Sequence, residues 1–308
     1  MNKAPFIHTE KNTPYIFLTV LASLLPCCVF SVFNYGLVSI VLIVTSVVVF
    51  AITERIGSGI RKDGSYYDMS ILSEGVIFAL LLPPGTPVLI CMAGAFFGAF
   101  ICKEVFGGSG SNPVNPAACG RIFVELVFPS YVRGFRDPGT DLLGFSSLWN
   151  GANVEGYVLP DIQDYSFAEV LFGRYQSFIG TGCILCALAG LVFLCIKKTV
   201  RFYAPIGYLA VVITGMFMLD IDEGIRVFAK DLMSSGVFFA AVFMLTEPST
   251  VPLNSRGALF SGVLAGMAAL LLTGGSGAFY ICVPVLIVNL TTYLFEYFAS
   301  LKGGGDRS

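Results

Sequence analysis

The 308 residues carry 18 Lys and Arg against 20 Asp and Glu, a net charge of -2, while 56% are hydrophobic and only 12% charged. So few charges cannot cover a large water-soluble fold, and the mean hydropathy of +0.81 points to lipid as the solvent. No basic cluster with interleaved aromatics argues for nucleic acid as a partner.

Apolar runs near the ~20 residues needed to span a bilayer recur along the chain and predict an all-α polytopic membrane protein. The opening MNKAPFIHTEKNTP is polar and lacks a short apolar core followed by a small-residue cleavage site, so the first span is expected to persist. Ten spans are predicted, at 15–33, 36–56, 69–82, 87–105, 116–131, 177–196, 203–219, 232–245, 257–273 and 278–298. The third, fifth and eighth are short, which predicts helices broken or packed within the bundle. Between the fifth and sixth lies a loop, 132–176, rich in acidic residues.

With a cytoplasmic N-terminus, twelve of the 18 basic residues fall inside: Lys3, Lys11, Arg55, Arg61, Lys62, Lys103, Lys197, Lys198, Arg201, Arg256, Lys302 and Arg307. Arg121, Arg133, Arg136, Arg174, Arg226 and Lys230 lie outside or within the membrane, so the positive-inside rule places both termini in the cytoplasm and the 132–176 loop on the outer face.

The chain also repeats. SEGVIFALLLPPGTPV from Ser73 returns as SSGVFFAAVFMLTEPSTVP at Ser234, and the run GGSG at Gly107 recurs at Gly274. Five spans per half make the halves inverted, with broken helices near the midplane, where unwound backbone can serve a ligand. The expected organisation is a first five-helix repeat over 1–131, the outer loop 132–176, a second repeat over 177–301 and a tail, 302–308. Glu74 and Glu247 are read as sitting at related points of the two repeats, each near a helix break, where they either line an ion path or cap and pair structurally.

The stretch SGSNPVNPAACGR, 109–121, interrupts this apolar pattern. Its continuation NPVNPAACGRIFVELVFP resembles the NPxNPA segment of the membrane flavoprotein family that contains the D subunit of the Rnf complex and the B subunit of the Na+-translocating NADH:quinone reductase. APFIHTEKNTPYIFLTVLASLLP, DMSILSEGVIFALLLPPGTPV, KEVFGGSGSNPVNP and FFAAVFMLTEPSTVPLNSRGALFSG are similar to other parts of that family, and the length is more like that of the Rnf member. The resemblance implies a subunit, not catalytic alone, of a bacterial cytoplasmic-membrane translocase that relays electrons between ferredoxin and NAD and couples them to Na+ or H+ movement. Its partners would be the other membrane and peripheral subunits of such a complex.

The resemblance also implies a flavin, FMN or riboflavin, near Asn112 and Asn115, whose amides both donate and accept like the edge of the flavin ring. Pro113 and Pro116 disfavour helix just before them, and Gly107, Gly108 and Gly110 allow close backbone approach to a planar ring. Arg121 either holds a flavin phosphate or oxygen or neutralises Glu125, four residues on. The family's threonine for covalent FMN has no counterpart: Trp149 stands at the expected position, and a tryptophan cannot form that ester. The flavin is therefore expected to be non-covalent.

Of nine cysteines, Cys183 and Cys186 form a C-x-x-C expected inside an apolar helix, with His8 the single histidine, and no metal site is predicted. Cys27, Cys28, Cys91, Cys102, Cys119 and Cys282 read as small buried hydrophobes, with metal ligation by Cys102 or Cys119 alongside partner subunits as the alternative. Two further readings stay open: a channel or transporter for a small polar solute, and an assembly subunit without cofactor.

Overall fold

The computed structural model describes residues 13–61, 69–108, 111–131, 134–140, 143, 148, 161–247, 250–252, 254–273 and 277–303, with side chains of the last helix described to residue 292. Helices and turns account for all regular structure among the described residues. The first two helices, α1 (Thr13–Tyr35) and α2 (Leu37–Arg61), form a hairpin at Gly36, whose positive φ of 60° makes the turn. Both are long and apolar enough to cross a membrane.

Helix α2 shows what the surrounding solvent is. Ile40, Val44, Val48, Ile52, Ile56 and Ile60, four residues apart, form an exposed stripe of branched hydrocarbon, while Ser39, Ser46, Thr53, Glu54 and Ser58 are buried. A helix in water arranges these sets the other way round. Greasy outside and polar inside is the pattern of a chain in lipid, whose polar groups must be met within the protein. This is a membrane protein.

The remaining elements are shorter. Helix α3 (Ser70–Leu80) stops before Pro83 and Pro84, and α4 (Val88–Ala99) continues into a π-helical turn, Phe100–Glu104. Helix α5 (Pro116–Val127) starts with Pro116 in its first turn and packs on α4 through glycines. A Cβ at Gly120 would lie 2.6 Å from the Gly94 carbonyl, and one at Gly98 would strike the Pro116 carbonyl. Contacts that close need residues without side chains.

Within the segment expected as the loop 132–176, α6 (Phe167–Leu171) is a short helix with a capping box between Ser166 and Glu169. Helix α7 (Ile184–Lys197) packs on α1, and α8 (Tyr203–Leu219) on α11 (Ser255–Leu271). Helix α9 (Ile225–Ser234) bends by 52° into α10 (Val237–Phe239), which passes into a second π-helical turn, Ala240–Met244. The bend sits at Gly236, with a φ of 72°. Helix α12 (Gly277–Gly303) packs against α5 and α11.

Several predicted limits move for identifiable reasons. The span expected over 177–196 begins at Ile184, because the backbone before it serves the end of α3: Ile179 and Gly180 donate their N–H groups to the Leu82 and Leu80 carbonyls at 3.0 and 2.8 Å. Cys183 is therefore the N-cap of α7 rather than a residue inside a helix. The span expected over 232–245 is divided by the Gly236 bend, the 116–131 span ends at Val127, and α2 runs on to Arg61. Lys103, counted with the basic residues of cytoplasmic loops, is a buried ion-paired residue of the first π turn.

Candidate functional site

Two buried helix ends carry most of the polar groups that sequence singled out. At the end of α3, three successive carbonyls would be left open in a membrane interior. Leu80 and Leu82 are closed by the Gly180 and Ile179 N–H groups, and Leu81 accepts from Arg121 Nε at 2.8 Å. Arg121, only 1% exposed, also donates through Nη1 to Glu125 Oε2 at 2.8 Å and lies 5.2 Å over the Phe178 ring. A cation at a helix C-terminus meets the negative end of the helix dipole, and its own charge is balanced by Glu125. Of the two readings of Arg121, the pairing with Glu125 is the one these contacts carry.

The other end follows the second π turn. Glu247 is buried there, with Oε2 accepting from Asn115 Nδ2 at 2.6 Å and Oε1 from Asn112 Nδ2 at 3.4 Å. The Asn115 carbonyl oxygen simultaneously caps α5 by accepting the Ala118 N–H at 2.8 Å, and its backbone N–H goes to Asn289 Oδ1 at 2.9 Å. Asn289 donates in turn to the Thr250 carbonyl at 3.4 Å. The NPVNP sequence thus does two jobs: Asn115 and Pro116 start α5, and both asparagine amides hold a carboxylate from the other half of the chain.

Glu74 and Glu247 come together. Both line a narrow cleft between α1 (Phe17, Val20), the start of α3 (Ser73, Ile77) and the end of the second π turn (Phe243, Thr246), with Asn115. Glu74 is ion-paired with Lys103 at 3.2 Å, and Lys103 donates to Ser70 Oγ at 2.6 Å. The two glutamates do not occupy matching places in the repeat: an offset of 161 from Ser73 to Ser234 sets Ser235 against Glu74. One stands near the start of its segment and the other late in its own.

Gly107 and Gly108 take φ of 112° and 87°, which glycine alone adopts freely. A Cβ at Gly108 would sit 2.7 Å from the Arg61 guanidinium, which pairs with Glu104. These glycines turn the backbone beside an arginine of α2. Gly110 and Trp149 lie outside the described residues.

Two participants and one pairing escape a reading of sequence. Asn289 carries a signal, a lone amide within an apolar run. Ser70 carries none. Cys102 and Cys119, expected as separate buried hydrophobes, are a disulfide pair with Cα atoms 6.9 Å apart. Among the described residues no cluster of three or more His, Cys, Asp or Glu could hold a metal ion.

The family model described as NQR2, RnfD, RnfE family matches residues 1–303, and the chain belongs to this family. It is 26% identical over 321 residues to the D subunit of the proton-translocating ferredoxin:NAD(+) oxidoreductase complex of Clostridium ljungdahlii, covering 100% of this chain and 96% of that one. It is 25% identical over 350 residues to the D subunit of the ion-translocating oxidoreductase complex of Pectobacterium carotovorum, covering 99% and 98% of the two chains. The same identity over 349 residues relates it to the corresponding protein of Escherichia coli K12, at 99% and 97% coverage.

Proposed function

We propose that this member of the family is the flavin-carrying membrane subunit of an Rnf-type complex in the bacterial cytoplasmic membrane. It would relay electrons between ferredoxin and NAD in company with the other subunits and couple that relay to Na+ or H+ movement. The observation that carries the reading is the near-complete match to the same component of named ion-translocating oxidoreductases.

Inverted five-helix halves, ten spans in all, belong to the same reading. Equivalent packing supports them: α2 packs on α4 as α8 does on α11, α4 on α5 as α11 on α12, and α1 meets α7 while α5 meets α12. The side-by-side placement of Glu74, early in one repeated segment, and Glu247, late in the other, is also what inversion produces.

The cleft itself does not hold a flavin ring: its free volume of about 20 Å³ is that of about one water. Phe17 and Phe243 line it, while its polar groups are already engaged: Ser73 and Thr246 donate to the Ser70 and Val242 carbonyls, and the Asn115 amide is held between Glu247 and Ala118. A flavin phosphate fits poorly, because Glu74 and Glu247 line the same space and Arg121 is committed to Glu125 and the end of α3. A phosphate would lie away from these carboxylates. A bound flavin would supply one- and two-electron transfer. At this cleft the chain's own residues would hold a cation or proton at Glu247 and Glu74.

Acid precipitation of the purified complex tests this. Flavin should appear in the supernatant, and replacing both Asn112 and Asn115 with alanine should remove it while the subunit still assembles. A complex that turns over with no flavin attributable to this chain would end the proposal.

A further inference from the structure

The structure assigns a second chemistry to the NPVNP region: we propose that Cys102 and Cys119 are a reversible thiol–disulfide pair that clamps the loop bearing Asn112 and Asn115. This goes beyond the flavin reading and does not depend on it.

The pair is placed by the α4/α5 seam. Gly94, Gly98 and Cys102 recur every four residues on one face of α4 and the π turn, and Cys119 adjoins Gly120 on α5. Where Gly94 and Gly98 face α5, backbones touch. One turn further on, the Cα atoms are 6.9 Å apart and the two sulfurs bridge the gap. The bridge spans 17 residues of sequence, and the segment it closes contains both π-turn charges, Lys103 and Glu104, and both asparagines. Its two ends differ in access. Cys102 is buried, 4% exposed, whereas Cys119 is half-buried.

That asymmetry sets the order of exchange with a small thiol. The thiolate attacks the Cys119 sulfur, the S–S bond breaks, and Cys102 leaves as a thiolate that takes a proton. A second small thiolate then attacks the reductant sulfur of the mixed disulfide, releasing the Cys119 thiol and one small disulfide. Two electrons and two protons reach the protein, and two small thiols become one disulfide. In the reverse direction a small disulfide is the oxidant.

Reduction frees the loop from its covalent anchor and leaves the contacts of Asn112 with Glu247 and of Asn115 with Glu247 and Asn289. The intact complex, poised with mixtures of reduced and oxidised glutathione, is acid-quenched, alkylated and digested, and the linked peptides 63–103 and 104–121 are quantified. The pair should pass between linked and free forms in the folded complex, and amide exchange over 105–115 should be about tenfold faster, or more, in the free form. The Cys102→Ala/Cys119→Ala variant should match the free form under both conditions. A pair that stays free under oxidised glutathione, one that opens only on unfolding, or equal loop exchange in both forms would overturn the proposal. Flavin content is read from the same samples, so loss of the flavin reading leaves this result standing.

Discussion

The end of α3 and the end of the second π turn lie in the two stretches of similar sequence that start at Ser73 and Ser234, and they carry opposite charges for different purposes. Only the cation is a cap, because a carboxylate has no proton to give a carbonyl. A helix that stops inside a membrane protein leaves carbonyls with no water to meet them. At α3 the solution is a cation and two backbone N–H groups, all committed to the fold. Beyond the π turn, a carboxylate is held by amides of two other segments beside a cleft. The first arrangement is closed, and the second has both a charge and room beside it. The two stretches share a sequence pattern, and the side chains at their ends set a committed cation against a carboxylate beside a cleft.

Breaking the closed end should have the largest effect. Arg121→Met strands Glu125 and the Leu81 carbonyl, and a loss of about 3–5 kcal/mol is expected. It would be seen as a collapse of monodisperse protein in detergent and a much lower melting temperature. Adding Glu125→Leu should restore most of the loss. If Arg121→Met folds normally but loses flavin, the arginine belongs to the cofactor instead.

The two aligned glycines sharpen the comparison at intermediate cost. Gly236→Ala forces an alanine to φ of 72° and toward Ile281, so about 1–2 kcal/mol of destabilisation is expected, of which Ile281→Val recovers only the steric part. Gly75 is an ordinary helical residue whose Cβ would lie 2.9 Å from Val47 Cα, and Ser46 donates to its carbonyl at 2.7 Å. Gly75→Ala should therefore destabilise by separating α2 from α3, and no single side-chain truncation should rescue it, because the obstacle is backbone.

At the open end, Glu247→Gln keeps one acceptor for the two asparagine amides and removes the charge. Stability should change by about 1 kcal/mol or less. Ion-coupled turnover of the assembled complex should fall roughly tenfold or more, about 1.4 kcal/mol of barrier. Unchanged turnover would make Glu247 as structural as Arg121. The smallest effect lies far from both ends. Ser166 donates its backbone N–H to Glu169 at 2.7 Å and holds that exposed carboxyl below its ordinary value of 4.5. This cap is fully present above that value and is lost as pH falls through the lower folded-state value. Amide exchange over 166–170 should rise in that acid window while the buried helix ends stay protected.

Sequence read the apolar elements well because their signal is local. The span expected at 203–219 coincides with Tyr203–Leu219, and a lipid-facing stripe like that of α2 needs only the 3.6-residue period. The spacing of four between Arg121 and Glu125 offered their pairing as one of two readings. Partners far apart in the chain leave no such trace: Asn115 meets Glu247 across 132 residues and Asn289 across 174. Nor does a stretch such as 177–183, whose composition reads as helix while its N–H groups are drawn to another helix's end.

Hydropathy, repetition and the NPVNPA sequence by themselves determined that the chain is helical, lives in lipid and belongs to a family of redox-complex subunits. The tertiary structure alone decided what each buried polar group answers to. In a membrane interior every charge, amide and carbonyl must find its partner within the protein, and which partner it finds depends on helix ends brought together from distant parts of the chain. That pairing turned Arg121 into a cap, joined Glu74 and Glu247 at one cleft, and set Cys102 against Cys119.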